Sequence, residues 1–171
     1  MSGRAAARLL DMGFKDVYAY EAGKSDWFAA GLERAGESTT IPRIGDFMEM
    51  PPTCSPDDTV GAARKRAEAA GWDACVVVDA DGIVLGLLRS QLRQATGTDL
   101  ARDVMHNGPK TYRADYTLPD PVEYMLTNKL DSTIVTSPEG RLLGMALLEP
   151  ARKSLAEYER LLDANHKHDQ E

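Results

Sequence analysis

Cysteine is nearly absent from this 171-residue sequence, which holds only Cys54 and Cys75. Two cysteines cannot build a multi-bridge disulfide scaffold, and Cys75 sits inside an apolar run. Both are therefore read as reduced, buried and structural, which fits a reducing, cytoplasmic setting. Histidine is as scarce: His106 stands alone, and His166 and His168 fall in a charged tail. Metal sites need three or four converging ligands, so no metal is expected. No apolar run approaches the roughly 20 residues of a membrane helix, and the N-terminus lacks the apolar core of a secretory signal. A cationic surplus is missing too. Lysine and arginine number 20 against 27 acids, a net charge of -7, and they form no stripe, which argues against a nucleic-acid partner.

What the sequence does have is a repeat. Residues 53 to 92 and 111 to 150 coincide without a gap at an offset of 58 positions, matching at Thr53/Thr111, Asp57/Asp115, Thr59/Thr117, Asp73/Asp131, Val77/Val135, Gly82/Gly140, Leu85/Leu143 and Gly86/Gly144. Such a repeat implies two copies of one supersecondary unit packed on each other, with a ligand cleft between them. In the first copy a helix is expected from a Thr59 cap to Ala70, with Val60, Ala63, Ala67 and Ala70 on one face. The runs 74–79 and 83–88 around Ala80-Asp81-Gly82 read as a hairpin, followed by a helix near Ser90. In the second copy the helix is expected to begin at an Asp120 cap with Pro121 at the first position, carrying Leu118, Val122, Met125 and Leu126 as its stripe. A hairpin over 132–147 turns at Pro138-Glu139-Gly140, and a closing helix starts at Pro150 with Ala151, Leu155, Tyr158 and Leu162 on one face.

The two units, the phrase Val104-Met105 followed by Pro109, and the Asp-Gly or Glu-Gly turns followed by Leu-Gly resemble a tandem CBS domain pair, or Bateman module, over about residues 44 to 157. The resemblance implies an α+β fold of two β-α-β-β-α units with pseudo-twofold symmetry. It also implies a regulatory, non-catalytic role, clefts that hold AMP, ATP or S-adenosylmethionine, and a homodimer formed through the helices. Val60, Ala63, Val122 and Met125 are the apolar residues expected on those helical faces.

Upstream, residues 6 to 31, with Gly23-Lys24-Ser25-Asp26-Trp27, resemble the C-terminal end of a rhodanese domain. That likeness implies a helix-strand-helix appendage. The family's catalytic cysteine loop would lie before this segment, and neither Cys54 nor Cys75 sits in a matching sequence, so no sulfurtransferase activity is expected. The organisation read from the sequence is a rhodanese-like fragment at 1–35, a linker at 36–52, CBS units at 53–98 and 99–157, and a helix end and tail at 158–171. Tyr18, Tyr20, Trp27 and Phe28 concentrate aromatic surface in the fragment and are expected to dock on the pair or across a dimer.

Nucleotide-binding CBS units carry Gly-h-h-Thr/Ser-x-x-Asp, in which h is apolar, the hydroxyl holds phosphate and the Asp holds ribose. Here the two positions are Arg89 and Leu92 after Gly86, and Leu147 and Pro150 after Gly144. Both copies lack both groups. The candidate anion or nucleotide residues are Arg89, Ser90, Thr53, Thr111, Thr133 and Glu149, and the expected occupant is none or an anion near Arg89 other than a tightly held adenosine nucleotide. Two other readings stand beside regulation: a rhodanese-CBS protein whose catalytic part is missing, and a purely structural interaction module.

Overall fold

The computed structural model describes residues 2–20, 23–33 and 41–168. Two four-stranded sheets carry the fold, and each is built from one repeat plus one strand of the other. The first contains β2 (Thr53–Cys54), β3 (Cys75–Val78), β4 (Val84–Leu88) and β5 (His106–Asn107); the second contains β6 (Thr111–Arg113), β7 (Ser132–Thr136), β8 (Leu142–Leu147) and β1 (Met48–Glu49). β2–β3 and β6–β7 are parallel, whereas the remaining pairings are antiparallel.

The exchanged strands are themselves repeat counterparts. Met48 and His106 lie 58 positions apart, so the repeat begins earlier than Thr53, and each copy lends its first strand to the other's sheet. Residues 44–49, expected as linker, thus form a 3-10 turn (Ile44–Phe47) and an edge strand; the Ile44 side chain is fully buried. Two-residue strands have no legible alternation, which is why the linker composition hid them.

Local chemistry explains the rest. The Thr59 hydroxyl accepts a hydrogen bond from the Ala62 amide and caps α3 (Val60–Ala70), and Gly71, with φ of 73°, closes it in the left-handed region. In the first hairpin turn Asp79 Oδ1 accepts from the Asp81 and Ile83 amides, both at 2.9 Å; in the second, Ser137 Oγ accepts from the Arg141 amide at 3.2 Å. α4 (Gln91–Gln94) starts after Ser90, as expected, and α5 (Ala101–Val104) leads into β5.

Three local expectations are corrected. α6 spans Pro119–Thr127 with Leu118 before it, so Pro119, not Asp120, opens the helix, and Pro121 still falls in the first turn, where no amide proton is needed. Leu126 is exposed, as is Ala70, so the buried stripes are Leu118, Val122 and Met125 on one helix and Val60, Ala63 and Ala67 on the other. α7 (Leu148–His168) begins directly from β8, two residues before Pro150.

The units meet in an apolar layer of Ala74, Val76, Ile134 and Met145. At the hairpin ends the Val84 amide donates to Gly140 O at 3.0 Å and the Leu142 amide to Gly82 O at 2.9 Å. These are counterpart residues exchanging counterpart bonds, the signature of a pseudo-twofold axis. Separate cores lie behind each sheet, one around Ile44, Tyr112 and Val122, the other around Ala63, Cys75 and Leu88.

The N-terminal segment forms α1 (Ser2–Asp11) and α2 (Gly23–Ala29), but residues 16–20 form neither helix nor strand. The strand implied by a rhodanese-like end finds no pairing neighbour among the described residues, and an unpaired strand gains no hydrogen bonds. Docking on the pair rests on Phe28, which packs on the second unit's core beneath the Arg43 guanidinium, 5.0 Å from the ring centroid. Tyr18 is 89% exposed; Tyr20 and Trp27 meet edge to face at 5.4 Å, both partly in solvent.

Candidate functional site

A cavity of about 240 Å³ opens between the units, where the end of β4, the turn before β6, α6 and the start of β7 converge. Arg89 is its central cation. The bend that follows β4 carries the side chain across the interface, where Nη2 donates to both the carbonyl and the hydroxyl oxygen of Ser132 at 2.9 Å. Nη1 lies 3.7 Å from Asp73, and Nε is buried without a hydrogen-bond partner among the described residues. Burial pulls the guanidinium pKa below its ordinary value, and Asp73 and Asp131 oppose that shift; an arginine so placed stays protonated.

Lys110 supplies the second cation. Its ammonium lies 4.1 Å from the Tyr124 ring centroid and 4.7 Å from that of Tyr112, a paired cation–π seat. The Tyr112 hydroxyl, chiefly, raises its pKa, and Asp120 adds to the effect. Leu87, Pro109, Leu130 and Ile134 form an apolar floor, and Ser90, Ser132 and Thr133 add hydroxyls.

Of the residues singled out in the sequence, the structure brings together Arg89, Ser90 and Thr133. Thr53 lines a different cavity beside Cys54, Asp58 and Arg66. Thr111 pairs with Ile134 inside the second sheet and is not among the cleft-lining residues, while Glu149 at the start of α7 is exposed and bonded to Arg152 at 3.0 Å. Sequence reasoning missed Lys110, His106, Tyr124 and Ser132. Only Pro109, which opens the second unit, marks the neighbourhood of Lys110; its aromatic seat on Tyr124 is a tertiary contact that no local pattern encodes.

The cysteines are free and buried. The neighbouring Cys75 thiol lowers the Cys54 pKa, and Cys54, with burial next, raises that of Cys75. Among the described residues no group of three or more histidines, cysteines and acids could hold a metal, and no helix is long and apolar enough to cross a membrane.

Comparison with known proteins locates this architecture. No curated protein matches the chain significantly. The cytosolic domain of the Mg2+ channel MgtE in complex with ATP superposes with a TM-score of 0.60 at 19% identity, over 65% of this chain. The chain spans only 48% of that protein's length. CBSX2 in complex with AMP gives 0.57 at 18% identity, covering 68% of this chain and 98% of the other. A CBS domain pair in complex with 5'-methylthioadenosine and S-adenosyl-L-methionine gives 0.58 at 18% identity, over 68% of this chain and 98% of its own. Residues 44–91 match the family model of the CBS domain, and the fold is that of a tandem CBS-domain pair.

Proposed function

We propose that the chain is a regulatory, non-catalytic module that senses a small molecule in the cleft between its two CBS units. One observation carries this reading: the cavity is lined from both units at once, with Arg89 of the first bonded to Ser132 of the second. A ligand seated there contacts both units, so its binding energy depends on their relative placement and can bias it. The complexes of similar folds with ATP, AMP and S-adenosyl-L-methionine support an adenosine-type compound as the first class to test.

In this reading the module acts as a homodimer through its helices. Val60, Ala63, Val122 and Met125 cannot form that surface, because each is buried within the chain; among the described residues of the two units' helices the exposed large apolar side chains are Leu126, Leu161 and Leu162. Sedimentation of the wild type against Leu126→Glu tests it, with loss of dimer expected in the variant.

The test of the sensing role is a thermal-shift panel of AMP, ATP, S-adenosylmethionine and NAD. A compound that binds only the folded chain raises its midpoint by mass action, adding about 2.7 kcal/mol of stability at one hundred times its dissociation constant. No shift with any compound at millimolar concentration rejects sensing in favour of a structural interaction module.

A further inference from the structure

The cleft is positive in a protein that is negative. Against a net charge of -7, its lining includes Arg89 and Lys110 and not one carboxylate. The acids nearest the cations, Asp73, Asp120 and Asp131, are outside the lining. Both principal cations are also held in place. Arg89 is fixed by its two bonds to Ser132 and keeps a buried, unpartnered Nε donor; Lys110 rests on two aromatic rings and makes no ion pair among the described residues. Preplaced cations above an apolar floor suit an anion attached to an apolar body.

The same lining speaks against sugar recognition. A ribose diol is read most strongly by a carboxylate that accepts its hydroxyl protons, and the cleft presents none.

Across the pseudo-twofold axis the chemistry changes. The positions equivalent to Arg89, Lys110 and Gln91 are Leu147, Pro52 and Glu149, so both cations are gone and an acid has appeared, and the cation gained there, Arg66 in place of Tyr124, is already paired with Asp58. The mirror-related cleft is therefore unsuited to the same ligand.

We propose that the cleft binds one small ligand per chain through an anionic group held between Arg89 and Lys110, and that it does not read a ribose. The proposal rests on the ligand-sensing reading of this cleft and adds the class of ligand.

Calorimetry on the whole chain tests it with AMP, 2'-deoxyadenosine monophosphate, adenosine and phenyl phosphate. AMP and its deoxy form are expected to bind within about threefold of each other, with phenyl phosphate within about tenfold of them, while adenosine is weaker by about tenfold or more. One site per chain is expected, and Arg89→Ala or Lys110→Ala should each weaken AMP by about tenfold. Arg89 also ties the units together, so Lys110→Ala, at an exposed position, carries the test where the Arg89 variant fails to fold. AMP binding tenfold more tightly than its deoxy form, two sites per chain, or affinities indifferent to the substitutions overturns the proposal. Adenosine binding as well as AMP also overturns it while leaving ligand sensing intact. If none of the four binds at millimolar concentration the proposal falls, and sensing is then judged separately by the NAD and S-adenosylmethionine arms of the thermal-shift panel.

Discussion

The two repeat units share a backbone and differ in what they place at matching points of it. The shared features are geometric: a register shift after Val77 recurs after Val135, left-handed Gly82 recurs as Gly140, and each copy hands its first strand to the other sheet. The differences are chemical. The Asp58–Arg66 ion pair of the first unit, 2.6 Å long, has Tyr116 and Tyr124 at its counterpart positions, both packed edge to face against Tyr112. The replacement of Arg66 by Tyr124 is what gives Lys110 its aromatic seat. Repetition thus preserves the scaffold while side chains diverge, and the divergence leaves a cationic site in one cleft.

The largest test of that asymmetry lies in the interface. Met145 and Leu87 are counterparts, yet Met145 is fully buried in the inter-unit layer, whereas Leu87 is half-buried and borders the cleft. Met145→Ala removes a core side chain with no solvent to refill the space and should cost about 3 kcal/mol. Leu87→Ala should cost about half as much, because its truncation only enlarges a cavity that is already open. Chemical denaturation of the two variants measures this, and equal losses would mean that the cleft is closed in solution.

Glycines set the next test, because the exchanged strands approach closely over them. A Cβ on Gly86 would lie 2.4 Å from Met105 Sδ and 3.1 Å from the His106 carbonyl oxygen; on Gly144 it would lie 3.0 Å from the Glu49 carbonyl oxygen and 3.1 Å from Met48 Cβ. Gly86→Ala and Gly144→Ala should each destabilise by about 1–3 kcal/mol through overpacking. Hydrogen exchange should show each loosening its own borrowed strand, β5 for Gly86 and β1 for Gly144. Faster exchange across a whole sheet in either variant would show that the borrowed strand is essential to it.

How far the sequence could be read follows the same division between local and tertiary causes. The Thr59 cap, the Gly82 and Gly140 turns and the ungapped offset are local signals, and together they exposed both hairpins, the helix order and the α+β class. Arg89 was legible as well, because it stands where a known motif wants a hydroxyl. The strand exchange was not, since β1 and β5 have two residues each and their partners lie about 100 and 20 positions away. The start of α6 misled because Pro119 and Pro121 both suit a first turn. Lys110 and Ser132 gain their roles only from the packing of the units.

The smallest expected effect is electrostatic and belongs to the first unit alone. The Arg66 guanidinium, and next the Ser55 amide, hold the Asp58 carboxyl below its ordinary pKa of 3.8. A carboxyl with a depressed folded-state pKa favours folding above its unfolded pKa, and that contribution is lost as pH falls through the folded value. Both partners are partly solvated, at 47% and 29% side-chain exposure, so the pair is expected to contribute about 0.5–1 kcal/mol. Asp58→Asn should therefore lower stability by that amount at pH 7, and its difference from the wild type should begin to shrink below about pH 4 and vanish only once pH lies under the depressed folded-state value, where both states protonate the wild-type carboxyl. Tyr116→Phe, at the counterpart position, should show no such convergence, because it removes no carboxylate. Urea midpoints across pH 2.5 to 7 measure both, and a difference for Asp58→Asn that persists unchanged into acid would show that the carboxylate's charge does not stabilise this unit.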